Sequence, residues 1–183
     1  MTAASDVITF WQEAGPAKWF AKDDAFDAAI RARFLDAHFA AARGDMAAWE
    51  ETAEGVLALL ILLDQFPRNL FRGSGHAFAT DGLARRIARE SLEQGFDRQI
   101  EPKLRPFLYL PFEHSEHPAD QELSVELFTA LERDSGDAES LRWAVEHRDI
   151  IARFGRFPHR NAALGRETTE SEQAYLDDGG FKG

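Results

Sequence analysis

The sequence contains no cysteine, and this absence removes several kinds of chemistry at once. Without thiols the chain forms no disulfide, offers no thiolate nucleophile and builds no zinc site from cysteine ligands. Basic residues are also in deficit, because 21 lysines and arginines stand against 32 aspartates and glutamates, for a formal net charge of −11. This charge argues against general binding of nucleic acid and against attraction to an anionic membrane.

Long apolar runs are absent as well. The longest run, residues 56–63, is far too short to span a bilayer. The first seven residues, Met-Thr-Ala-Ala-Ser-Asp-Val, lack the basic and apolar regions of a secretory signal. We therefore predict a cytoplasmic protein that binds neither nucleic acid nor membrane.

The alternation of polar and apolar residues that is typical of β-strands does not persist anywhere in the chain, whereas helical periodicity recurs. Phe26, Ile30 and Phe34 illustrate it, because they fall on one face of a helix. Repeated helix–turn–helix patterns with short connections favour antiparallel neighbours. The sequence therefore predicts an all-α fold of antiparallel helical hairpins. We expect a single domain over residues 1–183, with residues 177–183 as a flexible tail.

The first candidate motif follows the apolar run and reads Asp-Gln-Phe-Pro-Arg-Asn-Leu-Phe-Arg from Asp64 to Arg72. We interpret residues 56–63 as a buried helix, with a buried strand as the alternative, and expect the helix to end near Asp64. The dipole at a helix C-terminus disfavours a carboxylate, so Asp64 should pair with an arginine. The partner is either Arg68 at i+4 or an arginine of the 153–160 turn. A purely structural salt bridge explains such a pair equally well.

The second motif, residues 109–117, contains two adjacent Glu-His pairs, Glu113-His114 and Glu116-His117. Carboxylate and imidazole together can ligate a metal or act as general acid and base. Their spacing is not that of the His-Glu-x-x-His metal motif. A carboxylate–imidazole hydrogen bond that only orients a loop is the alternative. We predict no bound metal and no cofactor.

The third motif is rich in arginine and covers residues 142–166. Trp143, His147, Ile150 and Phe154 share one helical face, and Gly155 is suited to closing that helix. The turn that follows combines two phenylalanines with polar groups that are costly to bury unpaired. Arginine's planar fork suits carboxylate or phosphate, so these arginines either bind an anion or pair internally.

Each of the three motifs mixes charge with aromatic residues at the end of an apolar helix, and we expect them to meet in one place. Counting three acids against five arginines leaves a surplus of two positive charges, which suggests room for an anion. The candidate ligand-binding residues are Asp64, Arg68, Asn69, Arg72, Glu113, His114, Glu116, His147, Arg153, Arg156, His159, Arg160 and Asn161.

Three functional hypotheses follow from these motifs. The first is a pocket for a small anionic ligand. The second is an acid–base or metal-dependent enzyme of hydrolase type that uses residues 113–117 and 147–160. The third is a helical scaffold that binds a protein partner in a groove. Fold analogy alone does not choose among them.

Long motifs in this chain resemble a known family. They are Leu-Asp-Gln-Phe-Pro-Arg-Asn at residues 63–69, Tyr-Leu-Pro-Phe-Glu-His-Ser-Glu at residues 109–116, and Arg-Phe-Gly-Arg-Phe-Pro-His-Arg-Asn at residues 153–161, followed by Leu-Gly-Arg at 164–166. Together they resemble the bacterial family catalogued as domain of unknown function 924. The resemblance implies an all-helical fold similar to the tetratricopeptide-like superfamily, and it implies no established activity. The sequence signature of tetratricopeptide repeats is not recognisable in the chain.

Overall fold

The computed structural model describes residues 2–183, which form α-helices, short 3-10 helices and one π-helical segment. No β-strand occurs in this part of the chain, so the prediction of an all-α fold is confirmed. Among the same residues, no helix combines the length and the apolar character that crossing a membrane requires.

The α-helices are numbered in chain order. They are α1 (Ala4–Ala14), α2 (Pro16–Trp19), α3 (Asp24–Ala42), α4 (Ala53–Leu60), α5 (Phe66–Leu70), α6 (Asp81–Glu93), α7 (Pro106–Glu113), α8 (Pro118–Ser135), α9 (Ala138–Phe154) and α10 (Glu170–Asp177). The π-helical segment is Ile61–Gln65, and 3-10 helices occupy Ala47–Glu51, Gly75–Phe78, Asp97–Gln99 and Pro158–Arg160.

The chain folds into two compact units. The first comprises the residues up to Arg72 together with His76–Pro111, and the second comprises Gly73–Gly75 and Phe112–Gly183. Each unit is described by itself below. The domain organisation predicted from the sequence, one domain over 1–183 with a flexible tail from 177, stays a prediction.

Aromatic side chains fill the core of the first unit. Trp11 of α1 is fully buried, and its ring lies 5.6 Å from Phe66, 5.5 Å from Phe107 and 6.0 Å from Trp19. The edge-to-face and stacked arrangements of these rings are the ones that aromatic pairs prefer. Helix α1 packs against α4, and α3 packs against α5 and the π segment. Helix α4 and the π segment expose almost none of their apolar side chains.

The apolar helix that begins at Ala53 does not end near Asp64, so the predicted helix end is wrong. Helix α4 passes directly into the π segment and then into α5, which ends at Leu70. In the π segment, the amide of Phe66 donates to the carbonyl of Ile61, five residues earlier. This wider turn lets the helix continue into Pro67, whose ring would otherwise press on a carbonyl four residues earlier.

Two carbonyl groups lose their helical partners at the π segment, and side chains replace those partners. The Leu62 carbonyl would bond to the amide of Phe66 in a regular helix, but it lies 2.9 Å from Nδ1 of His38 instead. The Leu63 carbonyl faces Pro67, which has no amide hydrogen, and accepts the hydroxyl of Thr80. Buried carbonyls need such partners. The hydrogen bonds that the helix loses at the π turn and at Pro67 are therefore replaced by bonds from side chains of two other elements.

We expect Thr80→Val to destabilise the protein by about 1–3 kcal/mol, because it leaves the buried Leu63 carbonyl without a hydrogen bond. Urea unfolding measures the change. Thr129→Val is the matched control, since the Thr129 hydroxyl only adds a second bond to the Val125 carbonyl within α8. Equal and small losses in both variants would contradict the role given to Thr80.

In the second unit, α8 and α9 form an antiparallel hairpin. Gly136, with φ of 76°, supplies the left-handed residue that ends α8, and Asp137 caps α9 by accepting the amide of Ser140. The hairpin fixes the direction in which the buried face of α9 presents His147.

The last helix of the second unit begins with a capping box. The Glu172 amide donates to the Thr169 hydroxyl, and the Thr169 amide donates to the Glu172 carboxylate. Beyond the end of α10, the Phe181 amide donates to the Tyr175 hydroxyl at 2.9 Å. The Phe181 ring thereby joins an apolar cluster that contains Ile150 and Phe157.

Candidate functional site

Two buried titratable side chains, Glu113 and His147, lie together in the second unit. Glu113 is 4% exposed and His147 is 5% exposed. Nδ1 of His147 lies 2.9 Å from the Trp143 carbonyl oxygen and 3.4 Å from Oε1 of Glu113. Because a carbonyl only accepts, the bond to Trp143 requires a hydrogen on Nδ1. In the neutral ring, Nε2 therefore carries the free lone pair.

Local structure explains how these two groups are held. His147 lies on the buried face of α9 with Ala144, Ile150 and Ile151, as its helical spacing predicted. Glu113 is the last residue of α7. The fully buried amide of Gln121 donates at 2.6 Å to the Glu113 carbonyl, which fixes this end of the helix. A helix end and a helix face are rigid supports for a functional side chain.

His147 is held in the neutral form. Burial lowers the pKa of its imidazole to about 3, and the nearby charges of His114 and Arg160 act in the same direction. The bond to the Trp143 carbonyl opposes this shift without reversing it. The 3.4 Å contact with Glu113 would also favour the imidazolium, but the cost of burying a charge outweighs it. At neutral pH the ring is therefore uncharged.

Aromatic rings surround the imidazole of His147. The centroids of Phe157 and Phe181 lie 5.4 Å and 4.5 Å away, both with edge-to-face geometry. The His114 ring lies 6.5 Å away. Such apolar walls lower the local dielectric, which strengthens interactions between charges.

The predicted meeting of the Arg156–Arg160 turn with the Glu113–His117 stretch is observed within the second unit. Glu116 accepts the Phe157 amide at 2.8 Å and two bonds from Arg166 at 2.7 and 3.0 Å. Burial raises the pKa of the Glu116 carboxyl, but the bonds from Arg166 and Phe157 lower it overall. Asp64–Arg72 belongs to the first unit, and its predicted convergence with the other two motifs stays a prediction.

Arg156 forms an ion pair with Glu172, which the charge count from the sequence did not include. Its Nε and Nη2 lie 2.5 and 2.8 Å from the two carboxylate oxygens of Glu172, which also accept Nδ2 of Asn161 at 3.2 Å. Glu172 is 2% exposed. The bond from Arg156, helped by the bonds from Thr169, lowers the pKa of Glu172 to about 2. Arg156 and Asn161 therefore brace the turn.

In the first unit, Asp64 is fully buried and paired, as predicted. Its carboxylate lies 2.6 Å from Nε2 of Gln65 and 3.4 Å from Nη2 of Arg68. Arg68 also makes two parallel bonds to Asp81, at 2.9 and 3.0 Å. The partner is thus the arginine at i+4, and the pair lies inside a helix instead of at its end.

Arg72 and Asn69 share one carboxylate in the first unit. Arg72 contacts both oxygens of Asp27, at 2.5 and 3.0 Å, and Nδ2 of Asn69 lies 2.8 Å from Asp27. The bonds from Arg72 and Asn69 lower the pKa of Asp27 in spite of its partial burial. These residues connect α3 to the segment after the π turn.

The predicted surplus of two arginines is wrong, because the count omitted Asp27, Asp81 and Glu172. The arginines of the third motif also differ in burial. Arg153 is exposed and stacks on the ring of Phe154 at 4.6 Å. Arg160, by contrast, is 6% exposed and stacks on Phe157 at 4.5 Å.

His159 is half-buried, and its ring lies 5.6 Å from Phe157 and 5.1 Å from Phe181. No group of three or more histidine, aspartate or glutamate side chains in residues 2–183 is arranged to hold a metal ion. The Glu-His pairs of residues 113–117 thus do not form a metal-ligand set within the described chain.

The sequence did not predict several residues that form ion pairs with the candidate site residues. Asp27, Asp81 and Glu172 lie in the first turns of α3, α6 and α10, where a carboxylate is usually explained by its interaction with the helix dipole. The Thr-x-x-Glu spacing of Thr169 and Glu172 indicates a capping box, but the pairing of Glu172 with Arg156 spans 16 positions and has no local signal. Gln65 and Arg166 were part of the recognised motifs and had no role assigned to them.

A separate pocket of about 280 Å³ opens in the first unit. Its apolar residues are Ile8, Leu57, Ile100 and Leu104, and polar side chains including Glu54 stand around them. None of the residues predicted for the functional site lines it. The charged motifs therefore do not supply binding groups to this pocket.

The fold and the site define an all-helical protein with a buried histidine–glutamate pair. The chain belongs to the family described as "Bacterial protein of unknown function (DUF924)", whose sequence model matches residues 7–180. It is also similar to a solved structure, that of the protein of unknown function ATU0120 from Agrobacterium tumefaciens. The two share 52% identity over 96% of this chain and 97% of the other, with a TM-score of 0.91. None of the curated proteins matches the chain.

Proposed function

We propose that this protein is a hydrolytic enzyme of the general acid–base type, with His147 as the base and Glu113 as its partner. The observation that carries the proposal is the burial of both groups 3.4 Å apart within one helical unit. Burying two titratable groups stabilises a fold no better than well-packed apolar residues would. Perturbed groups of this kind occur preferentially at functional sites.

The reaction uses the free lone pair of His147. Nε2 takes a proton from water, the oxygen of that water attacks the carbonyl carbon of an ester, and the imidazolium returns the proton to the leaving alcohol. Nδ1 keeps its hydrogen throughout, because it is bonded to the Trp143 carbonyl. The Glu113 carboxylate, 3.4 Å from Nδ1, stabilises the imidazolium while it lasts.

This proposal takes the second of the three functional hypotheses without its metal. The anion-binding hypothesis has lost the charge surplus that motivated it, because Arg68, Arg72 and Arg156 each make two bonds to a carboxylate. The hypothesis of a helical scaffold for a protein partner stays a prediction.

Hydrolysis of p-nitrophenyl acetate and p-nitrophenyl butyrate by the purified protein tests the proposal. We expect turnover of at least one of these esters, with kcat/KM about 100-fold lower in His147→Asn, since general base catalysis contributes about 10²–10⁴-fold. Glu113→Gln should lower kcat with little change in KM, because Glu113 acts through His147.

His38→Asn is the matched control. His38 is also buried, at 4% exposure, its Nδ1 also contacts a backbone carbonyl, and burial also lowers its pKa. It belongs to the first unit, so its replacement should leave the hydrolysis rate of the folded protein unchanged. If wild type hydrolyses neither carboxylic ester faster than His147→Asn does, the proposal is wrong.

A further inference from the structure

The ring of Phe181 lies edge-to-face against the imidazole of His147. Phe181 lies 4.5 Å from His147, 5.1 Å from His159 and 5.9 Å from Trp143, measured between ring centroids. Three rings that can stack or donate hydrogen bonds thus surround one phenyl group. Aromatic surfaces of this kind bind flat apolar groups of ligands well.

The segment that carries Phe181 is only lightly attached. Residues 178–183 follow the end of α10 and contain no helix or strand. The Phe181 amide donates to the Tyr175 hydroxyl, and the Gly180 amide donates to the Tyr175 carbonyl. Phe181 itself is only partly buried. Apart from the Phe181 ring, the segment is largely exposed, and an exposed segment without helix or strand opens locally at low free-energy cost.

Two glycines precede Phe181 and allow the segment to fold back. Gly179 has φ of 84°, a value that other residues rarely adopt. A Cβ atom on Gly180 would lie 2.5 Å from the Tyr175 carbonyl oxygen and 2.6 Å from the Tyr175 ring. The chain can therefore turn sharply against Tyr175, and the glycine pair provides a hinge at the base of the segment.

We propose that Phe181 is a displaceable internal occupant of an aryl-binding subsite formed by the rings of Trp143, His147 and His159. The subsite takes a phenyl or similar flat apolar group of the substrate after residues 178–183 move away. This inference rests on the proposed function, because the subsite would hold the aryl group of an ester substrate beside His147, the proposed base. Its test requires binding alone.

The probe is benzyl alcohol, with 2-propanol as the control for general solvent effects, titrated into ¹⁵N-labelled protein. In wild type, bound probe should shift the indole signal of Trp143 and move the amide signals of residues 179–183 toward random-coil positions. In Phe181→Ala the subsite is already empty, so the apparent affinity should rise at least tenfold, because no internal occupant competes.

Phe154→Ala is the matched control for the loss of a phenyl group. Phe154 belongs to the same apolar cluster and contacts Tyr175 at 5.1 Å, but no ring contact with His147 is found. It should bind benzyl alcohol as wild type does. If Phe181→Ala does not fold, Phe181→Leu together with displacement in wild type decides the question, since leucine lacks the flat ring.

Two results would overturn the inference: amide signals of residues 179–183 that stay unchanged when the Trp143 indole signal shifts, or equal affinities in wild type and Phe181→Ala. The outcome is separable from that of the ester assay. Displacement of Phe181 by benzyl alcohol without any His147-dependent hydrolysis would refute the proposed enzyme and keep the subsite. Hydrolysis without displacement would do the reverse.

Discussion

Replacing Gly55 with alanine should destabilise this protein by about 3 kcal/mol, which corresponds to a fall in melting temperature of roughly 6–12 °C for a chain of this size. Gly55 is buried near the start of α4. A Cβ atom at this position would lie 2.2 Å from the Trp49 carbonyl oxygen and 2.8 Å from two further backbone atoms of Trp49. Backbone atoms cannot rotate away as a side chain can, so the segment around Trp49 must shift.

Gly82→Ala is the matched control, and it should change stability in the opposite direction. Gly82 lies in the first turn of α6, and nothing lies within 4 Å of the Cβ atom that alanine would add. Alanine is favoured over glycine in a helix by about 0.5–1 kcal/mol. Urea unfolding of both variants measures the difference. A loss of under 1 kcal/mol in Gly55→Ala would show that the backbone of residues 47–51 yields easily.

The second large effect is a loss of stability in acid that depends on His147. In the unfolded chain its imidazole has the ordinary pKa of 6.5, whereas in the folded protein burial lowers the pKa to about 3. Between these values the unfolded state binds more protons, so stability is full above pH 6.5 and falls as the pH drops. The expected slope is about 1.4 kcal/mol per pH unit.

The measurement compares wild type with His147→Asn by urea unfolding from pH 7 to pH 4.5. Stopping at pH 4.5 keeps Glu172 out of the comparison, because its stabilising contribution is lost only as the pH falls from 4.5 toward its folded pKa of about 2. Over this range the stability difference between the two proteins should change by about 3 kcal/mol.

His38→Asn serves again as the control, since burial lowers the pKa of His38 as well. The His38→Asn variant should lose the part of the acid-induced destabilisation that comes from His38 and should keep the part that comes from His147. If the wild type and His147→Asn curves run parallel from pH 7 to pH 4.5, the imidazole of His147 titrates alike in folded and unfolded protein. The assignment of His147 as a neutral base would then fail.

The helical class and several helix ends could be predicted from the sequence because they depend on near neighbours. The cap at Asp137 and the capping box of Thr169 and Glu172 involve residues three positions apart. The continuation of the helix through Pro67 could not be predicted, because it depends on a π turn whose freed carbonyls are bonded by His38 and Thr80. Those residues are distant in the sequence.

The candidate site shows the same division. His147 and Phe154 were correctly placed on one helical face by their spacing. The ion partners were harder to predict, because the pairs Arg156–Glu172 and Glu116–Arg166 join residues 16 and 50 positions apart. An ion pair forms between any two opposite charges that lie close together in the fold. The sequence pattern does not show which distant residues lie close together. Counting charges within motifs therefore overestimated the number of arginines available to a ligand.

The π segment also affects how the first unit opens. A helix whose hydrogen bonds are all internal can unwind from its ends, one turn at a time. Here the carbonyls of Leu62 and Leu63 are bonded to His38 of α3 and to Thr80, which directly precedes α6. Unwinding the middle of this helix must break bonds to both neighbours, so the three elements form one cooperative opening unit. The irregular turn thus links the local stability of α4 and α5 to that of helices far away in the sequence.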